Sequence, residues 1–327
     1  MKAVTPVIAL VMLLLITTGL VGASYFWFGS VLSSQTTNAI SIPAGGAYCS
    51  NGNIRVYVLN SGSINISAAD VVVGEVDGIS VINNGLVVYW KFDEGAGPTA
   101  SDSSGSGNNG NIAGSPVWES GRTGKALRFD GSLGNYVIKN PLPGFPSSEI
   151  TAAFWMKSTD TTTSGAPVSY ASPSSDNDFL IFNYQSFDIY AIGNNVNTGV
   201  KPNDGNWHHI AATWKSAGGE ARMYKDSAPA FSGTVSSGVA ITNGGSLVIA
   251  QEQDSVGDAF QSSQSFIGTI DEVRIYNRVL SASEIKFIYG IKPGESALAI
   301  DYPAAPGKHV VRIGTPSGIA ETSVYCA

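Results

Sequence analysis

Apolar and polar positions follow three rhythms along this chain. From Ala3 to Leu32 the segment AVTPVIALVMLLLITTGLVGASYFWFGSVL is apolar almost without a break and carries no charge. A stretch of that length spans a bilayer as a helix, so residues 1–38 are predicted to form one long apolar helix. A cleaved secretory signal ends in small residues, whereas here Tyr25, Phe26, Trp27 and Phe28 prolong the run, which predicts a retained segment. Pro6 falls in the first turn, where a missing N–H costs little, and the Gly19–Ala23 spacing offers a small-residue seam for helix against helix.

The second rhythm is the two-residue alternation of strands. NIRVYVLNSGSINISAADVVV, after Cys49, and ESALAIDYPAAPGKHVVRIGTPSGIAETSVYC, at the other end, alternate apolar and polar residues between turn signals and are expected to be halves of one small β-sandwich. Between them lie many short runs, among them LVVYW, ALRFDG, NYVIK, ITAAFWMKS, DFLIFNYQSFDIYAI, NWHHIAATWKS, EARMYKDS, SLVIAQEQD and GTIDEVRIYN, separated by Gly, Asn and Ser. This third texture fits a double-sheet jelly roll better than any βαβ scheme. Only SASEIKFIYG reads as a helix, with Ser281 as N-cap and Glu284 three residues on. The predicted organisation is a helix over 1–38, a small β-domain over 39–82 plus 291–327, and an inserted mainly β jelly roll over 83–290.

Composition narrows the partners. The 327 residues carry a net charge of −7 and 38 glycines, and no basic stripe exists to displace counterions from nucleic acid. Cys49 and Cys326 are the two cysteines; a bridge between them would close nearly the whole remainder of the chain, worth about 4 to 5 kcal/mol in the chain-entropy model. The stretch IAQEQDSVGDAFQSSQ, Ile249 to Gln264, gathers Glu252, Asp254 and Asp258 with several glutamines and no Lys or Arg. Hard oxygen donors collected without a cation suit calcium, which takes six to eight oxygens.

Two resemblances sharpen this reading. MKAVTPVIA is similar to the start of archaeal type IV pilin-like proteins, which implies cutting between Ala3 and Val4 by a prepilin peptidase and a helix that anchors in the membrane or self-associates in a filament core. The bacterial pilins' Glu near the helix start is missing here. GKALRFDG, NWHHIAATW and GTIDEVRIYNRVLSASEI resemble laminin-G-like, concanavalin A-type jelly rolls, and SYASPSSDNDFLIF with IAQEQDSVGDAFQSSQSFIG resembles the pentraxins.

The pentraxin resemblance implies two calcium ions on one sheet face, held by Asp176, Asn177, Glu252, the backbone carbonyl of Gln253, Asp254 and Gln264, with Gln261 where the family carries a Glu. Three carboxylates against two divalent ions leave the site electropositive, suited to an anionic ligand oxygen. Phe182 matches the position whose ring flanks a bound phosphocholine or sugar. The family's cross-sheet disulfide falls at Ala152 or Ala153 and Ala212, so it is absent here. Asp130 and Asp271 are candidates for a separate structural calcium, and His208 and His209 are read as strand residues.

The expected function is non-enzymatic: a surface-displayed pilin-like adhesin, membrane-anchored or in an extracellular filament, whose calcium-dependent lectin-type domain binds glycans or phosphorylated head groups. The alternatives are a filament subunit with a decorative jelly roll and a glycan-active enzyme.

Overall fold

The computed structural model describes residues 39–327 apart from positions 72 and 82. The apolar segment 1–38, with the expected cleavage at Ala3 and Val4, lies outside the described residues. Among the described residues no helix is long and apolar enough to cross a membrane. The described residues divide into two compact units, one built from residues between 39 and 82 together with Gly290–Ala327 and the other from Asn83–Tyr289.

In the smaller unit, Asn53–Asn60 alternates half-buried and buried positions, the pattern of a strand with one face in a core. It pairs with Ile40–Ser41, Ala47–Ser50 and Ser296–Pro303. A second four-stranded sheet runs Gly318–Cys326, Gly307–Thr315, Val73–Val76, Ile79–Ser80. Ile54, Val56, Val58, Ile300, Val311 and Ile313 are fully or almost fully buried. Cys49 and Cys326 form a disulfide across 277 positions of sequence.

The larger unit is a jelly roll of two eight-stranded sheets. One sheet centres on Glu149–Lys157, between His208–Lys215 and Ile267–Tyr276. The other runs Asn194–Asn197, Asp188–Ala191, Ser175–Phe182, Val168–Ser172, Ser246–Ile249, Tyr136–Lys139, Gly110–Ala113, Thr99–Ala100. Their inner faces interdigitate: Phe154, Met156, Ile210, Trp214 and Ile275 belong to the first sheet, and Val168, Tyr170, Phe179, Ile181, Leu247 and Ile249 to the second, all essentially sealed from water. Ala152 and Ala212 face each other directly across paired strands within this core. Packing fills the place where the resemblance put a disulfide.

Seven successive residues of Glu149–Lys157 are buried, not every second one. The outer face of that sheet is covered as well: Trp155 stacks on Tyr289 of the helix Ala282–Tyr289, with ring centroids 5.3 Å apart. Ser281 caps that helix reciprocally with Glu284, its amide donating to the Glu284 carboxylate while the Glu284 amide donates to its hydroxyl.

Two predicted runs are shorter than the sequence suggested. DFLIFNYQSFDIYAI divides at a turn in which Asn183 adopts positive φ and accepts from the Ser186 amide. SLVIAQEQD leaves the sheet after Ile249, because Ala250 takes a φ of 75°, in the left-handed region that breaks an extended strand. That bend sends Gln251 onward into a loop, not along the sheet.

Candidate functional site

The loop from Ala250 to Phe266 is tied at its base. The Phe266 amide donates to the Ala250 carbonyl at 2.9 Å. The buried Gln251 side chain accepts from the Ser265 hydroxyl and donates to the Ser132 carbonyl. Gln253, also sealed from water, donates its amide to the Ser169 carbonyl and hydroxyl and the Ser246 carbonyl, and accepts from the Gly257 amide and the Ser246 hydroxyl. Its side chain is fully committed to the sheet, which leaves the backbone carbonyl as the oxygen available to a ligand.

Between these anchored glutamines stands Glu252, only 2% exposed. Its Oε2 is buried with no hydrogen-bond partner, and so is Oε1 of Gln264. Two orphaned acceptors in one loop are costly unless something electropositive completes them. Burial, then the charges of Asp254 and Asp176, push the Glu252 carboxyl up to about 7. The charge of Asp176, from the start of Ser175–Phe182, is thus felt by a residue 76 positions later in the chain. Gln261 donates its amide to the Asp254 carboxylate, so the position where the resemblance expects a Glu does touch the acidic loop. Asn177 accepts from the Gly193 amide through its carbonyl at 2.9 Å.

Among the described residues no three His, Cys, Asp or Glu side chains gather into a group able to hold a metal by themselves. The donors seen to influence one another are Glu252 with Asp254 and Asp176, through their charges, and Gln261, through its hydrogen bond to Asp254. The orphaned oxygens of Glu252 and Gln264 are what calcium chemistry requires, so this donor set fits that ion. Asp258 instead caps an exposed turn, accepting from the Ala259 amide.

Phe182 is half-exposed, and its ring meets Tyr190 edge to face at 6.1 Å and 87°. It faces away from the core lined by Phe179 and Ile181. Two residues that pattern reading passed over also stand here. Asp178, 1% exposed, accepts from the Thr242 amide, and burial raises its carboxyl; an acid between Asn177 and the apolar FLIF run is the signal that marked it. Tyr190 lies within the field of Glu252, and burial followed by the charges of Asp188 and Glu252 raises its phenol.

Other sequence candidates lie elsewhere. Asp130 caps its own turn, accepting from the Ser132 amide and the Asn135 side chain. Asp271 accepts from the Arg122 and Thr123 amides through Oδ2, while its Oδ1 is buried without a partner, and burial pushes its carboxyl up to about 8. The two are bound into different turns. His208 is held between Asp226 and Asp204. His209 is buried against Trp155 and Tyr289, and burial lowers it to about 3, so it stays a neutral packing ring.

A two-sheet jelly roll with a pinned, acid-rich loop is a lectin-like fold. Comparison with known proteins agrees: the model of the Pentaxin family matches residues 128–301, more than half of the chain, and the chain belongs to that family. The chain is 41% identical over 172 residues to the rat (Rattus norvegicus) Sushi, von Willebrand factor type A, EGF and pentraxin domain-containing protein 1, covering 52% of this chain and 5% of that protein. It is 32% identical over 151 residues to human (Homo sapiens) neuronal pentraxin-2, covering 45% of this chain and 35% of that protein. It therefore spans well under two thirds of either relative. The binding domain of Paraclostridial Mosquitocidal Protein 1 shares the fold, with a TM-score of 0.50 at 17% identity over 64% of this chain and 52% of that chain.

Proposed function

We propose that the chain is a non-enzymatic, calcium-dependent lectin-type binding protein displayed at a cell surface. The observation that carries this reading is the pair of orphaned buried acceptors, Glu252 Oε2 and Gln264 Oε1, in a loop whose frame is already satisfied by Gln251 and Gln253. Glu252, Asp254 and Asp176 would hold calcium through carboxylates, Asn177, Gln261 and Gln264 through amide oxygens, and Gln253 through its carbonyl. When bound, the ion supplies a strong electropositive centre for the oxygens of a glycan or a phosphorylated head group. Gln261 in place of a carboxylate lowers the negative charge of the donor set, which favours a ligand that brings its own anionic or hydroxyl oxygen.

The protein's own part is preorganisation. Gln251 and Gln253 fix the loop to the sheet before any ligand arrives, so little ordering entropy remains to be lost on binding. Surface display is supported by the apolar stretch within residues 1–38 and by the Cys49–Cys326 disulfide, a bond that persists in oxidising compartments. The pilin-like start of the sequence extends the proposal to an anchored or filament-borne adhesin, in which many copies raise avidity.

The test is a binding screen of the full chain against glycan and phosphocholine arrays in calcium and in EDTA, repeated for Glu252→Ala. Binding that EDTA and the substitution both abolish is the expected result. Equal binding in every condition overturns the assignment.

A further inference from the structure

We propose that Asn65, in the smaller unit, carries an N-linked saccharide, added by an oligosaccharide transferase while that unit is still incomplete. The inference rests on the export to the cell surface in the reading above and is independent of the calcium chemistry.

The order of residues supplies the acceptor. Asn65-Ile66-Ser67 has the Asn-x-Ser/Thr arrangement that such transferases accept, and it is the one such triplet in the chain. The jelly-roll unit, Asn83–Tyr289, contains 16 asparagines and 40 serines and threonines, yet has none. With a hydroxyl residue at roughly one position in five, chance placement would give about three. A glycan is bulky and solvated, so on that unit it would cover surface that a ligand needs. The distribution leaves the binding unit bare and admits sugar on the other.

The fold leaves Asn65 free to carry it. Asn65 is exposed and lies between strands, and its side chain makes no hydrogen bond among the described residues. Its neighbours hold the segment instead. The buried Asn60 donates its amide to the Ile64 carbonyl at 2.6 Å and to the Ile291 carbonyl at 2.8 Å. Ile66, sealed from water, exchanges backbone hydrogen bonds with Ile291. No packed group leans on the Asn65 side chain, so a saccharide there displaces nothing, and the first sugar ring would cover the apolar surface of Ile64, 39% exposed beside it.

The hydroxyl that a transferase reads is engaged once folding is complete: that of Ser67 donates to the Asp70 carboxylate and accepts from the Ala69 amide. The order of synthesis removes this conflict. Ile291 follows its partner Asn60 by 231 positions, and the pairing strand Ser296–Pro303 is made later still. At about 5–20 residues per second, roughly 10 to 45 s separate the two partners. A single helical turn is marginal by itself, so through that interval the triplet stays extended and its hydroxyl open. The insertion of one unit within the other thus creates the window for modification.

The step balances without an oxidant. The Asn65 amide nitrogen attacks C1 of a saccharide carried on a lipid diphosphate; the N–C bond forms as the C1–O bond breaks, the lipid diphosphate leaves with the bonding pair, and the amide gives up one proton.

The experiment produces the full chain in a eukaryotic secretory host and weighs the peptide spanning Asn65, before and after an amidase that removes N-linked glycans. Expected is a saccharide mass on Asn65 and on no residue of the jelly-roll unit, converted by the amidase to the mass of an aspartate at that position. Asn65→Gln and Ser67→Ala are expected to lose it completely, while Ser67→Thr, which keeps the hydroxyl, retains it. In pulse-labelled chains the saccharide is expected to precede the Cys49–Cys326 bond; the reverse order overturns the window. A disulfide-bonded chain with unmodified Asn65 overturns the site and leaves the surface reading standing. A reduced, unmodified chain overturns export, and the site with it. Glycan that persists in Ser67→Ala or sits on the jelly-roll unit also overturns the assignment.

Discussion

At the scale of single residues, the informative groups are those left incomplete. Glu252 is an acceptor without a donor, in a field of like charge from Asp254 and Asp176. Glu252→Gln removes a charge from the proposed calcium site but keeps the shape, and it is expected to weaken calcium affinity at least tenfold by calorimetric titration while leaving the metal-free protein no less stable. Asp271 provides a separate test. Its folded carboxyl titrates near 8 instead of its ordinary 3.8, so between about pH 4 and pH 8 the folded state holds a proton that the unfolded state has released. Stability from this group falls as pH rises through that window, by at most about 1.4 kcal/mol per pH unit, and is flat above it. Asp271→Asn imitates the protonated form; chemical denaturation at pH 5 and pH 8 is expected to show a shallower decline than in the parent. An identical slope would mean that Asp271 is charged in the fold.

At the scale of elements, the acidic loop is a frame of glutamines around a small set of donors. Gln253 makes five hydrogen bonds from a fully buried position. Gln253→Ala would strand the Gly257 amide and the Ser246 and Ser169 groups and open a cavity, at a cost of about 2–4 kcal/mol. Thermal unfolding of the jelly-roll unit reports that loss. Removing calcium should act on the exposed part of the loop alone: residues 254–263 become the preferred site of limited proteolysis in EDTA, while the stems held by Gln251 and by the Phe266 amide stay protected. Cleavage spread evenly over the unit would show that the frame, too, depends on the metal.

At the scale of the whole molecule, two compact units share one chain, and the larger interrupts the smaller in sequence. The Cys49–Cys326 bond joins both ends of the interrupted unit. Cys49→Ala with Cys326→Ala is expected to lower the stability of that unit by about 4 to 5 kcal/mol in the chain-entropy view, while the jelly-roll unit, which owns its core and contains no cysteine, unfolds as before. Differential scanning calorimetry with and without reductant separates the two: one transition moves and the other does not. If both shift together, the units do not unfold independently.

How much of this was legible follows from how far each signal reaches along the chain. Alternation in NIRVYVLN, the Ser281–Glu284 cap and the oxygen-rich IAQEQDSVGDAFQSSQ are local, because a strand's facing, a helix start and a donor set are each decided within a few residues. The end of a strand at Ala250 was not legible, since its left-handed backbone goes with the loop closed by the distant Phe266 amide and not with its neighbours in sequence. Nor was the division of labour among glutamines: composition shows Gln251, Gln253, Gln261 and Gln264 as equivalent donors, and only the approach of Ser132, Ser169, Ser246 and Ser265 turns the first two into scaffolding. The order of residues thus determined the jelly-roll strands and the chemistry of the candidate site. Tertiary structure alone decided which oxygens were left unpaired and which side chains became neighbours across strands, because hydrogen-bond partners and register are set by segments far apart in the chain.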